Sequence, residues 1–287
     1  MIFPENLKTQ IENSGFSRLV PHILAHLKPC IKMSLALAGQ WNSASATISD
    51  QTPIGASKYG GHPDVPPGFE WPLIDGMPLP FMAQIRLEEV APFDMENALP
   101  HEGFLLIFFD TTLEISCETV IYNIENSADL TRMAPPKELP EFGIAEPYAL
   151  SFSPGWSLPS VSSLEMESIF KQHNASDSEI DAFGEWYYSR SDYHQLLGHC
   201  FYEHRDTRYI AASFVTQEND EINGKSEEKW NSDAPKWQCL IQFGSEDASQ
   251  NSGAVFGVSW GNRNCIYLLI RESELQKRDF QSVFALQ

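Results

Sequence analysis

The stretch from residue 53 to residue 80 constrains this chain more than any other part of it. Within it stand seven prolines (Pro53, Pro63, Pro66, Pro67, Pro72, Pro78 and Pro80) and five glycines (Gly55, Gly60, Gly61, Gly68 and Gly76). Proline has no amide hydrogen to give a ladder and holds φ fixed, while glycine weakens any regular element, so neither helix nor central strand is expected there. The same stretch carries Tyr59, Phe69 and Trp71, rings that are seldom left in water. The expectation is an ordered, pre-stiffened coil whose rings lie on a sheet.

The sheet itself is legible on the C-terminal side of this coil. Apolar runs at 81–87 and 104–109 and a further one at 114–122, separated by turn residues, predict an antiparallel meander. Before the coil, Pro4, Leu7, Ile11 and Gly15 outline a first helix. Leu19, Val20, Ile23, Leu24 and Leu27 recur at helical spacing as a second, and Ile31, Met33 and Leu35 then alternate as a strand does. Residues 123–159, punctuated by six prolines, read as irregular, with a helix beginning near Ser160. Ser176 and Glu179 form a capping box ahead of an apolar face of Ile180, Phe183, Trp186 and Tyr187. That pattern recovers at Leu196 and Leu197 and stops at Gly198, and residues 217–235 read as a polar loop.

One internal echo organises these pieces. Phe81-Met82-Ala83-Gln84-Ile85 resembles Cys239-Leu240-Ile241-Gln242-Phe243, and each is followed by a second apolar run, 104–109 in one case and 266–270 in the other. In both copies a lone Gln stands among apolar neighbours, where its amide needs partners, and bonding to backbone is the favoured role. The fold class expected is therefore α+β: mostly antiparallel sheets from a β-rich pseudo-duplication, with helices at the N-terminus and between the halves. The organisation expected is a single domain over 1–287, its halves at about 31–150 and 198–287, bridged by a helical segment at 160–197.

Nineteen basic and thirty-nine acidic side chains leave a formal charge of −20. Such a surface repels phosphate backbones and anionic membranes, so neither nucleic acid nor membrane is expected as a partner, and a basic protein is. The N-terminus has no basic, apolar export signal and no run of eighteen apolar residues occurs; with five widely spaced cysteines suited to the reduced state, a cytoplasmic location is expected.

Ser57-Lys58-Tyr59-Gly60-Gly61-His62-Pro63, followed by Pro66, Gly68 and Trp71-Pro72, resembles the Ser-Lys-Phe-Gly-Gly-x-Pro signature of the YwqG-like family, bacterial proteins that carry a domain of unknown function. The Gln84 strand, His194-Gln195-Leu196-Leu197-Gly198, Trp260-Gly261, Tyr267 and Asp279-Phe280 are similar to that family's motifs in the same order. The resemblance spans nearly the whole chain and implies an α+β fold with an internal duplication, and no established activity. Two acidic positions common in the family are Gly244 and Asn262 here, and Asn264 stands where relatives usually carry Gly, so chemistry resting on those carboxylates is not expected.

The candidate chemistry is sparse. No phosphate loop and no nucleophile elbow occurs, and no cofactor is expected. Lys58, Tyr59, Trp71, Gln84 and Arg86 are the candidate ligand-binding residues, two scarce cations beside rings that could line a cleft for an anionic or peptide ligand; pairing of Lys58 with a nearby carboxylate is the plainer role. His194, His199, Glu203 and His204, with Cys200 among them, form a weaker alternative as metal ligands, without the spacing of any known finger or metalloprotease. The reading these observations favour is a non-enzymatic binding protein, possible as an immunity-type module taking a basic partner, with a small-molecule enzyme using the Lys58/Arg86 cleft or the histidines as the alternative.

Overall fold

A computed structural model describes residues 14–42, 47–110, 116–117, 119–125, 129–139, 145–189, 194–202, 205–217, 226–244 and 265–287. Its centre is an eleven-stranded antiparallel sheet. In chain order the strands are β1 (Lys28–Leu37), β2 (Gly39–Asn42), β3 (Thr47–Asp50), β4 (Lys58–Tyr59), β5 (Asp64–Val65), β6 (Leu73–Ile74), β7 (Met77–Pro78), β8 (Phe81–Arg86), β9 (Phe104–Phe109), β10 (Ser116–Cys117), β11 (Thr119–Ile124), β12 (Thr131–Arg132), β13 (Tyr148–Ser157), β14 (Gln195–Leu196), β15 (Trp237–Gly244), β16 (Cys265–Arg271) and β17 (Phe284–Leu286). The large sheet runs β10-β17-β16-β15-β14-β1-β13-β4-β8-β9-β11, and β2–β3, β5–β12 and β6–β7 are separate pairs. Its two ends, β10 and β11, are almost consecutive in the chain, so the sheet nearly closes on itself and leaves little free edge.

Near-closure explains the continuous apolar strands. All six residues of β9 are buried, because alternate side chains enter two different cores. Leu105, Ile107 and Phe109 point to the interior, where they meet Ile31, Leu196, Leu240, Phe243, Ile266 and Leu268 from the far side of the sheet. Leu106 and Phe108 face outward under Phe69, Trp71 and Ile74 of the proline-rich coil. Strand β16 behaves alike: Ile266, Leu268 and Ile270 turn inward, while Cys265, Tyr267 and Leu269 pack outward with Tyr209, Ala211 and Ala212 of the helix Thr207–Gln217. A third core joins Phe16, Leu19 and Ile23 to Met166, Ile169, Phe183 and Tyr187. Burial of these side chains, each contributing roughly 1.5–3 kcal/mol relative to exposure, is the main term holding the layers together.

Several sequence expectations change here. The proline-rich coil does send one strand into the centre of the sheet, since β4 stands between β13 and β8; at two residues, between Ser57 and Gly60, it is short enough to escape every proline. The stretch 123–159 is not irregular, because β13 pairs with β1 along ten residues despite Pro154. Only Tyr148 and Ala149 of β13 also pair with β4, so Pro154 sits where one side of the strand is unladdered and its missing amide costs little. The helix that begins at the Ser176 capping box ends at Tyr188, and Gln195–Leu196 is a strand, so the apolar pair Leu196-Leu197 belongs to the sheet instead of that helix. The helix predicted near Ser160 begins at Leu164 under a Ser163 cap, and Ser226–Asp233, within the expected polar loop, is helical. The predicted first helix from Pro4 lies outside the described residues, apart from its end near Gly15. No described helix is long and apolar enough to cross a membrane.

Candidate functional site

Two places on the sheet repeat one backbone device. At the first, β4 is followed by Gly60 and Gly61, both with positive φ (67° and 69°). The Gly60 amide donates to the carbonyl of Met82 at 2.7 Å, at the point where the β8–β9 register shifts. Six residues after Lys58, the amide of Asp64 donates to Oε1 of Gln84 at 2.8 Å. At the second, β14 is followed by Leu197 and Gly198, again with positive φ (61° and 75°). The Leu197 amide donates to the carbonyl of Leu240 at 3.0 Å, where the β15–β16 register shifts. Six residues after Gln195, the amide of Phe201 donates to Oε1 of Gln242 at 2.8 Å. Gln84 lies opposite Lys58, and Gln242 opposite Gln195.

Glycine is required at the second turn position for the same reason in both. A Cβ on Gly61 would lie 2.6 Å from Oδ2 of Asp50, and a Cβ on Gly198 would lie 2.3 Å from Oγ of Ser157. Those two oxygens accept the amides of His62 and His199, the residues that follow. Each turn thus closes around an oxygen delivered from a distant segment, and only a residue without Cβ admits it.

The side chains that fill the two devices differ in kind. At the first, Lys58 is fully buried and its ammonium lies 3.0 Å from Asp50 and 3.4 Å from Asp64. Arg132, on β12, reaches the same carboxylates at 3.2 and 2.9 Å and also donates to the carbonyls of Asp50 and Thr52. Asp64 Oδ2 accepts further from the Gly55 amide and from Gln84, whose Nε2 also donates to the Ala56 carbonyl. Burial alone would raise the pKa of both carboxyls, yet they are held below the usual carboxylate range. For Asp50 the Thr52 hydrogen bond and the Lys58 charge prevail; for Asp64 the Arg132 hydrogen bond and the Lys58 charge do. Burial pushes the Lys58 ammonium down, against the pull of Asp64 and Asp50. Two cations face two anions, and the network clamps β3, the coil and β12 to the sheet.

At the second device the filling is mostly neutral, with one cation, Lys32, reaching in from β1. Gln195 donates to the carbonyls of Leu197 and His199 and accepts from Lys32 at 3.0 Å. Gln242 Nε2 reaches Sγ of Cys265 at 3.5 Å. His199 is buried with Nε2 2.7 Å from the His26 carbonyl, and burial lowers its pKa to about 4. Beside it lies a cavity of about 10 Å³, lined by Lys28, Ser160, His199, Cys200, Thr207, Arg208 and Cys239 among others. Arg208 is committed to Glu165 and Asp206 on its rim.

The residues singled out from sequence are placed as follows. Lys58 and Gln84 come together through Asp64, and Tyr59 is buried against Tyr148 and Phe243. Trp71 packs edge-on to Phe108 and donates its indole N–H to the Leu79 carbonyl. Arg86 is half-exposed, 3.4 Å from Glu88 and over the Phe104 ring. Of the histidines, Nδ1 of His194 accepts the Gly244 amide, while Glu203 and His204 lie outside the described residues. Among the described residues no group of three or more His, Cys, Asp or Glu is arranged to hold a metal. Asp50, Asp64 and Arg132 escaped the sequence reading. Only Asp64, close behind Lys58 in the signature, carried a signal; Arg132 is distant in the chain.

A family model described as a domain of unknown function (DUF1963) matches residues 57–286. No curated protein matches the chain. With four fifths of its length covered by that model, the chain belongs to the DUF1963 family.

Proposed function

We propose that this DUF1963 member is a non-enzymatic, cytoplasmic protein-binding module that takes a basic protein partner, and that it is one of the YwqG-like proteins built from an internal duplication. The duplication is supported by the two devices above: matched turns, matched register shifts and matched Gln clamps, with β1 and β13 as their counterparts at the centre. The second unit then begins near His194, and the helices of 164–188 lie between the two.

The observation that carries the binding reading is the β6–β7 hairpin. Leu73 and Met77, flanking the turn at Asp75 and Gly76, are 59% and 54% exposed. The hairpin emerges from a coil pinned to the sheet by Trp71 and by the buried ions, so its tip is presented by a stiff support and little ordering entropy is lost on contact. Glu70 and Asp75 beside it are exposed carboxylates. The buried Lys58 network is neutral, so it holds none of the −20 charge. An apolar tip set in negative potential complements an apolar slot with a basic rim. A catalytic cleft built on Lys58 and Arg86 has less behind it, because Lys58 has no exposed surface and Arg86 meets Glu88.

Capture of partners from the native lysate at low and moderate salt tests this reading. A basic protein retained by the wild type, weakened by salt and lost with Leu73→Asp/Met77→Asp, is expected. Retention of the same partner by that variant, or no basic partner at either salt, overturns it.

A further inference from the structure

The second device holds chemistry that protein binding does not use. Cys200, in the turn after β14, and Cys239, on β15, both line the cavity beside His199. Both are free and buried, and their side chains are in hydrogen-bonding contact, with Gln195 as a second neighbour of the Cys239 sulfur. The space they face accommodates about one water-sized molecule, near the lower limit for a hydrated site. Thr207, 1% exposed and also among the residues lining the cavity, has a buried hydroxyl with no hydrogen-bond partner in the structure. A buried unsatisfied hydroxyl calls for a small polar guest. The exposed Lys28 on the rim adds a positive charge at the mouth.

We propose that this cavity admits a small peroxide and that Cys200 and Cys239 form a reversible disulfide there. Cys200, carried on the turn and the more accessible of the two (5% against 2%), is the attacking sulfur. The Cys200 sulfur attacks one peroxide oxygen, the O–O bond breaks and the sulfur becomes a sulfenic acid; the proton of the Cys200 thiol goes to the other oxygen, which leaves as water. The Cys239 sulfur then attacks the Cys200 sulfur; the S–O bond breaks, and the sulfenic oxygen departs as a second water carrying the Cys239 proton. Two thiols are oxidised by two electrons and one hydrogen peroxide is reduced to two waters. Cys30, on β1, and Cys265, on β16, are also buried, so the pairing is a specific claim.

Peptide mapping of the reduced, folded, full chain treated with hydrogen peroxide tests it. A linked peptide joining Cys200 to Cys239, about 2 Da lighter than its two thiol halves and restored by dithiothreitol, is expected. Cys239→Ser should leave a sulfenic acid on Cys200 that dimedone traps, and Cys30→Ser should leave the link intact. A link through Cys30 or Cys265, or a link formed only in urea, overturns the proposal. So does a wild-type chain whose Cys200 and Cys239 stay alkylatable after treatment. The wild-type map decides the matter even where a serine variant does not fold.

Discussion

The turn after β4 and the turn after β14 share a backbone and almost nothing else. Each has two left-handed residues, a glycine admitting a foreign oxygen, an amide bonded to a register shift, and a Gln that receives the amide six residues on. The first is filled with two cations and two carboxylates, the second with amides, thiols and a neutral histidine. The backbone device therefore sets the geometry, and the side chains decide whether the place is a clamp or a small polar chamber. Buried charges demand full pairing, and the first is fully paired and closed; the neutral second place tolerates empty space beside it.

Acid should draw on the buried histidines of both places before their carboxylates. His199 is neutral in the folded chain, with its pKa lowered from 6.5 to about 4, so the unfolded chain binds its proton first and stability falls as pH drops from 6.5 toward 4. Burial also lowers that of His62, at the matching place in the first device. Asp50 and Asp64 lie below their ordinary 3.8, and Glu165, beside Arg208, goes from 4.5 to about 2. Their stabilisation is complete above the ordinary values and is lost only as pH falls through the depressed ones. Urea midpoints measured from pH 7 to pH 2 should show a shallow early limb and a steep later one, and His199→Gln should flatten part of the early limb alone. A single steep loss confined below pH 4 in the wild type would contradict the neutral buried histidine.

Next in size is the exchange of filling. Lys58→Gln gives the first device the residue of the second, but leaves two buried carboxylates facing Arg132 alone. Loss of one partner from a buried pair costs about 3–5 kcal/mol, and the urea midpoint should fall accordingly. Adding Asp64→Asn should recover part of the loss, a coupling that a double-mutant cycle reads directly. Equal losses for Lys58→Gln and for Gln195→Met would show that charge is not what distinguishes the two places.

How much of this was legible in the sequence follows the same division. Local signals were readable: the β9 strand at Phe104–Phe109, the capping box at Ser176, the rings of Phe69 and Trp71 on the sheet, and the paired Gln84 and Gln242. What depended on distant partners was not. A carboxylate partner was the plainer role for Lys58, but which groups converge on it was hidden, since Asp50 stands before the proline-rich coil and Arg132 far beyond it and nothing local announces their meeting. Strand β13 was hidden by Pro154, whose cost vanishes only because one side of the strand is unpaired there. Strand β14 was hidden by its length, since two apolar residues continue a helical pattern as readily as they start a strand.

The smallest and sharpest contrast concerns the glutamines themselves. Gln84→Leu strands the Asp64 amide and the Ala56 carbonyl in a buried place and removes one donor to Asp64 Oδ2. Each unsatisfied buried group costs about 1–3 kcal/mol, so the summed loss should exceed about 2 kcal/mol. Gln242→Leu strands the Phe201 amide and forfeits a contact to the Cys265 sulfur, a weak acceptor, so about 1–2 kcal/mol is expected. Denaturant midpoints of the two variants rank the places directly. If Gln242→Leu proves the costlier, the second device is the structural keystone, and the ionic filling of the first is secondary to the amide clamp that both contain.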